Sequence, residues 1–256
     1  MLGHRRVLLR SPVVSGAFSP LDITGCLQWL DFSDANYMFT DAGTTKVSSD
    51  GDAIYQVNDK SGNNNHATQS TAGSRPLYKT GIKNSLSVAR FDGTDDFLDV
   101  PELIEQTLWT LFVVYKGVNT LVASARQATA PPVYDVGYGA GIMAGDKSYL
   151  WSGTDNSGVR VTATGVDYSN FNITVGRLKD GDSALYCNGV SKGTSTQTPA
   201  PYKGYNAVIG MMRGNNSEFT RPFTGDMAEI IWYDSSLSDT DRQSVETYLN
   251  NKWSIY

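Results

Sequence analysis

A chain of 256 residues is long enough for one large all-β domain or two small ones, with room for a substantial core. Its formal charge of −5, with no basic patch interleaved with aromatics, argues against a nucleic-acid partner. No segment approaches the roughly 20 apolar residues that span a membrane, and two cysteines do not make a disulfide-stapled scaffold.

Gly, Ser, Thr, Asn and Asp are abundant, which suits many strands joined by many turns. Residues 1–24 show no periodicity and hold Pro12, Gly16 and Pro20, so they read as an extended arm preceding a domain over 25–256. The arm carries the only basic cluster, His4, Arg5, Arg6 and Arg10. Val7-Leu8-Leu9 is cut off by Arg10-Ser11-Pro12, whereas a secretory core needs roughly 7–15 apolar residues. The expectation is a soluble protein made in a cytoplasm. Arg5, Arg6 and Arg10 are then candidates for docking on a neighbouring subunit, with a loose tail as the plainer reading.

Leu27–Phe32 is the first expected strand, and Asp34–Asp52 reads as loop. Ala53–Val57 is a short strand, and Asn58–Ala67 is dense in turn-forming residues. Strand pieces follow at Arg75–Tyr78, Ser87–Phe91 and Phe97–Val100, with an Asp92-Gly93 turn between the last two. Leu108–Tyr115 is nearly all apolar, as a central strand should be. Phe171, Ile173 and Val175 alternate with Asn172, Thr174 and Gly176, which predicts one buried face. Asn188-Gly189 predicts a tight hairpin between Ala184–Cys187 and Val190–Lys192. Cys187 in that strand reads as a buried free thiol, and Cys26 as a second free thiol. Ala207–Met212 is another buried strand. Phe223–Trp253 reads as a buried strand, a polar turn and a helix, N-capped by Ser238, with Val245, Tyr248, Leu249 and Trp253 on one face.

Five motifs occur in order: Trp29-x-Asp31; Asp59-Lys60-Ser61-Gly62-Asn63 with His66-Ala67; Arg75-Pro76; Phe91-Asp92-Gly93-x-Asp95-Asp96; and Phe223-x-Gly225-x-x-Ala228-Glu229-Ile230-Ile231, followed by Leu237-Ser238 and Tyr248-Leu249-x-x-Lys252-Trp253. Over residues 26–256 the chain resembles the LamG-like jelly rolls of the concanavalin A-like lectin/glucanase superfamily. The resemblance implies an all-β, two-sheet antiparallel jelly-roll sandwich with one C-terminal helix. It also implies a habit of recurring in phage structural proteins.

Glucanases of this superfamily place acidic side chains at alternate strand positions, so that two carboxylates share a face. No Glu-x-Asp-x-x-Glu run occurs here. Asp226 and Glu229 are three residues apart, which predicts opposite faces of a regular strand and a structural role for Glu229. His4 and His66 are too few for a triad or a zinc site, and His66 reads as a turn residue. Asp92, Asp95, Asp96 and Asp99 offer oxygens within eight residues, and calcium is the cation the resemblance would allow. Adjacent Asp95 and Asp96 are expected to point apart and EF-hand spacing is absent, so the reading is turn-forming carboxylates and no cofactor.

Tyr134, Tyr138, Tyr149, Trp151, Tyr202 and Tyr205 fall near expected loops, with Asp155, Asn156 and Arg160 as polar partners. Aromatic platforms with adjacent polar groups suit saccharides, so Tyr138, Trp151 and Asp155 are the candidate glycan site. The function expected from sequence is a non-catalytic virion component, a phage decoration, tail or fibre protein. It would join other virion proteins through the arm as part of an oligomeric assembly and bind cell-surface glycans. A free lectin-like carbohydrate-binding module is the alternative, and a glycan-active hydrolase the third reading.

Overall fold

A computed structural model describes residues 17–101, 103, 107–124, 139–144, 148–154, 157–199, 207–213 and 219–256. In chain order the strands are β1 Cys26–Asp31, β2 Met38–Phe39, β3 Gln56–Val57, β4 Ala67–Thr68, β5 Leu77–Lys83, β6 Leu86–Asp92, β7 Leu98–Asp99, β8 Trp109–Ser124 and β9 Gly139–Ala144. They continue with β10 Ser148–Thr154, β11 Ser157–Ala163, β12 Asn172–Leu178, β13 Ser183–Cys187, β14 Val190–Ser195, β15 Ala207–Ile209, β16 Met212–Arg213, β17 Phe219–Thr220 and β18 Thr224–Tyr233. The helix α1, Asp239–Trp253, closes the chain. Among the described residues no helix is long and apolar enough to cross a membrane.

The strands form an antiparallel jelly-roll sandwich. One sheet runs β14-β13-β12-β8-β18, and the far edge of β18 is shared by β1 and β6, with β5 outside β6. The other runs β11-β10-β9-β8-β15-β7-β4-β3-β2. Strand β8 belongs to both: Thr110–Val118 pair with β18, whereas Asn119–Ser124 pair with β9 and β15. The crossing is made at Gly117 (φ 139°), which lies opposite Gly225 (φ 145°) on β18. Side-chain-bearing residues essentially never adopt this backbone geometry. A Cβ on Gly117 would also collide with the backbone of Thr224 and Gly225, and one on Gly225 with the carbonyl of Lys116.

Between the sheets lies a core that includes Leu30, Phe32, Phe91, Trp109, Leu111, Tyr115, Phe223, Ile230 and Trp232. A second apolar layer covers the outer face of the first sheet, where Phe112, Val114, Ile173, Val175, Ile231 and Tyr233 meet Val245, Leu249 and Trp253 of α1. These three helix residues are fully buried and contribute roughly 1.5–3 kcal/mol each. The Ser238 side chain accepts from the Asp241 N–H at 3.1 Å, a cap worth about 1 kcal/mol. Packing therefore holds the helix more than capping does.

Several expectations change. β12 is buried at all seven positions, not on one face, because Ile173 and Val175 lie under α1 while Asn172, Thr174 and Gly176 turn to the inner core, where the Thr174 hydroxyl is 3.3 Å from Tyr115 Oη. Residues 17–24, assigned by sequence to the arm, are docked on the domain. Pro20–Asp22 form a 3-10 turn with Ser19 and Asp22 as a capping box, the Tyr233 hydroxyl donates to the Pro20 carbonyl at 2.8 Å, and Phe18 packs on Tyr248. Arg5, Arg6 and Arg10 lie outside the described residues. Strands β9–β11 were not foreseen. The Asn188-Gly189 hairpin forms as expected, with φ of 50° and 76°, and Cys26 and Cys187 are free thiols.

Gly117→Ala or Gly225→Ala is expected to cost roughly 3 kcal/mol or more in urea unfolding. Gly181→Ala, at φ +67° with open space around it, should cost about 1 kcal/mol. Equal losses at the two kinds of site would contradict a steric role for the Gly117–Gly225 crossing.

Candidate functional site

Three of the motifs that carry the resemblance, those of Trp29 and Asp31, of Asp59 and Lys60, and of Glu229 with Tyr248–Trp253, converge on one buried polar lattice. The carboxylate of Glu229, fully buried, accepts from Trp29 Nε1 at 2.7 Å, Tyr248 Oη at 2.9 Å, Lys252 Nζ at 2.8 Å and Trp253 Nε1 at 2.7 Å. Lys252 also pairs with Asp31 at 2.7 Å, and Lys60 joins Asp31 at 2.9 Å to Asp34 at 3.1 Å. Burial and the Asp31 charge push the Glu229 carboxyl above its ordinary range, and Lys252 and the Trp253 indole pull it down only in part. Burial opposes the charge on Asp31 as well, but Lys252 and Lys60 outweigh it and hold that carboxyl below its ordinary range. Asp59 organises the neighbouring turn, accepting from the backbone N–H groups of Trp29, Ser61 and Asn65. His66 Nδ1 accepts the Asp59 N–H at 3.0 Å, the turn role expected for it. This lattice is structural, because its groups are already satisfied by one another.

Asp226 and Glu229 do not lie on opposite faces. The pairing of β18 with β8 slips between Met227 and Glu229, so Ala228 is an extra, bulged residue. A bulge resets the alternation of the strand, and both carboxylates point to the helix-bearing face. They still do not form a catalytic pair. Glu229 is held by its donors, and both oxygens of Asp226 are taken by Arg90, through Nε at 2.7 Å and Nη2 at 2.9 Å.

Asp95 and Asp96 do not diverge as expected either. With Asp92 they place carboxylate oxygens within 4.8 Å of one another, and among the described residues this trio, without Asp99, is the group that could hold a cation. The turn is built by Asp92, which accepts from the N–H groups of Thr94 and Asp95, while Asp96 accepts the Asp92 N–H. Burial, reinforced by the Asp92 and Asp95 charges, pushes Asp96 up to about 6.

Of the glycan candidates, Tyr138 and Asp155 lie outside the described residues. Trp151 is not in a loop: its backbone is in the middle of β10, paired with Gly141 and Arg160. Sequence reasoning placed Trp151 near a loop because the Gly-rich sequence around it shows weak alternation.

A groove that sequence reasoning missed lies on the helix-bearing face of the first sheet. Its volume is about 340 Å³, within the range of ligand pockets. The floor is a row across three strands. Arg90 on β6, Asp226 on β18 and Lys116 on β8 are direct cross-strand partners and so share a face. Ile82 and Lys83 at the end of β5 form one wall, Asn170 and Phe171 ahead of β12 a second, and Ile255 after the helix the third. Asn84 pins the β5–β6 hairpin to the helix end by donating to the Lys252 carbonyl at 2.8 Å. No spacing rule could reveal the row, because its members are 26 and 110 residues apart in sequence and meet only through register.

Two outcomes follow from this chemistry. Glu229→Gln removes a charge and sets a donor against Lys252 or Trp253, so unfolding should require roughly 3–5 kcal/mol less; a melting temperature equal to wild type would refute the lattice. Asp96 holds its proton more tightly when folded than unfolded, so its contribution is favourable below the ordinary carboxylate range and declines as pH rises through about 6. Asp96→Asn should therefore stabilise the protein by roughly 1 kcal/mol at pH 8 and flatten the stability profile between pH 4 and pH 7. The gain is limited because Asp92 and Asp95 are exposed and screened.

The sequence matches no family model and no curated protein. The structure is similar to domain 4 of AbnA, a GH43 extracellular arabinanase from Geobacillus stearothermophilus, solved in complex with arabinotriose. The TM-score is 0.57 at 15% identity, covering 85% of this chain and 96% of that one. It is also similar to the binding domain of Paraclostridial Mosquitocidal Protein 1 (TM-score 0.55, 10% identity, 91% of this chain and 53% of that one). A third likeness is to Trypanosoma rangeli sialidase in complex with 2,3-difluorosialic acid (TM-score 0.54, 12% identity, 89% and 34%). The chain thus spans about half of the mosquitocidal binding domain and a third of the sialidase. At these identities the likeness is one of fold, and the fold is a β-sandwich.

Proposed function

We propose that the chain is a non-catalytic saccharide-binding domain and that the ligand lies in the groove above Arg90, Asp226 and Lys116. The observation that carries this reading is the groove itself. It combines the half-buried ring of Phe171 with Asn170 and a charged floor, the mixture of flat apolar surface and polar groups that sugars require. The likeness to an arabinanase domain solved with arabinotriose supports it. The non-catalytic part is supported by Asp226 and Glu229, whose oxygens are all engaged and leave no free acid and base.

A finer part of the reading concerns place: the domain is carried on a virus particle through its N-terminal segment, with Arg5, Arg6 and Arg10 as the contact. It is supported by the sequence of that segment alone. Because residues 17–24 are docked on the domain, the informative deletion removes residues 1–16. It should abolish co-sedimentation with particles while leaving the melting temperature unchanged, and retained co-sedimentation would refute the particle role.

The binding role is tested on a glycan array followed by calorimetry. Phe171→Ala is expected to weaken the best saccharide at least about ten-fold, as loss of a buried aromatic contact does. The protein should release no reducing ends from that saccharide. Unchanged affinity would remove the groove as the site, and turnover would overturn the non-catalytic reading.

A further inference from the structure

We propose that the groove selects saccharides bearing a negatively charged substituent, a carboxylate or a sulfate, and that Lys116 is its principal anchor. This deepens the saccharide-binding reading and rests on it.

The inference comes from the charge balance of the groove. The protein as a whole is acidic, at −5, yet three cations, Lys83, Arg90 and Lys116, line this cavity against the single carboxylate of Asp226. That carboxylate is not available to neutralise them all. Arg90 holds both of its oxygens, in a bidentate pair that occupies Nε and Nη2 and leaves Nη1 over. Among the described residues, Lys116 and Lys83 make no side-chain hydrogen bond and no ion pair, although Lys116 is the direct cross-strand neighbour of Asp226. Four other lysines are paired with carboxylates: Lys60 with Asp31 and Asp34, Lys79 with Asp50, Lys179 with Asp182, and Lys252 with Asp31 and Glu229. Of the four described lysines without an anionic partner, Lys46, Lys83, Lys116 and Lys192, Lys83 and Lys116 line the same groove, and there they face a single carboxylate that is already engaged.

The geometry of the walls sets the kind of anion. A bare inorganic anion would use the cations and leave Phe171, Ile82 and Ile255 idle. These three are partly buried and pack on the outer apolar layer, so they give the cavity a fixed apolar rim. A sugar ring laid on Phe171 would present an acidic substituent to Lys116 Nζ and Arg90 Nη1. Such charge-assisted bonds are about twice as strong as neutral ones. Asp226 acts as a positioning residue, since its grip on Arg90 fixes the guanidinium within the row.

The test uses the full chain and three probes: a tetramer of galacturonic acid, the same tetramer as its methyl ester, and a sulfated glucan oligomer of equal length. Calorimetry should give at least about ten-fold tighter binding for the acid or the sulfated oligomer than for the ester, with affinity falling as salt rises. Lys116→Gln should lower that affinity about ten-fold and leave the ester's unchanged, while Lys179→Gln, an equal loss of charge outside the groove, should change neither. A preference for the acid identifies carboxylate as the substituent, and a preference for the sulfated oligomer identifies sulfate. Equal binding of ester and charged probes, or equal effects of Lys116→Gln and Lys179→Gln, overturns the proposal while the saccharide-binding reading stands. Binding of no saccharide, charged or neutral, overturns both.

Discussion

The burial of one carboxylate organises this protein. A Glu229 carboxyl away from water is tolerable only if its oxygens are met by donors, and the first strand and the helix supply them. Trp29 comes from the first strand, and Tyr248, Lys252 and Trp253 come from the helix. The requirement fixes the register of β1 on β18, where Asp31 sits opposite Glu229, and it fixes the rotation of α1 about its axis. The apolar layer beneath the helix supplies most of the energy. The carboxylate supplies the orientation, because hydrogen bonds are directional and hydrophobic contact is not.

The groove inherits its shape from that arrangement. The end of the helix sets where Ile255 lies, and the Asn84 bond to the Lys252 carbonyl sets where the β5–β6 hairpin stands. The floor depends on β8 and β18 staying in register as β8 passes from one sheet to the other. Lys116 and Asp226 flank the Gly117–Gly225 contact directly. A residue with a side chain at either glycine would spread the strands beside the row that the groove is built on.

Much of the fold was legible in the sequence because its signals are local. Apolar runs marked β1, β8 and β18, Asn188-Gly189 marked its hairpin, and Ser238 with Val245, Leu249 and Trp253 marked the helix. Some motif residues were also legible through a resemblance alone; in the structure Trp29, Asp31, Lys60, Glu229 and Lys252 satisfy one another. What could not be read was whatever depends on register. The bulge at Ala228 places Glu229 on the face that its spacing from Asp226 denied it. The outer cover of Ile173 and Val175 comes from a helix more than sixty residues downstream, and the burial of Asn172, Thr174 and Gly176 comes from the opposite face, turned toward the core between the sheets. Arg90, Asp226 and Lys116 belong to three separate motifs or strands in the sequence and to a single surface in the fold. The aromatics chosen from sequence followed loop composition, and Trp151 went to a strand because Gly-rich strands look like loops.

The pairing of β1 with β18 has a consequence for biosynthesis. Trp29 and Glu229 are separated by 200 residues, so the first strand made is among the last to find its partner. Until β18 and the helix leave the ribosome, Trp29, Leu30 and Phe32 have no apolar neighbours on the strand they will join, and the edge of β1 offers unpaired backbone to any passing chain. The turn at Asp59 is made early and already binds the Trp29 backbone N–H and, through Lys60, the Asp31 carboxylate. That local cross-link can hold the nascent first strand in shape while the remainder of the chain is synthesised.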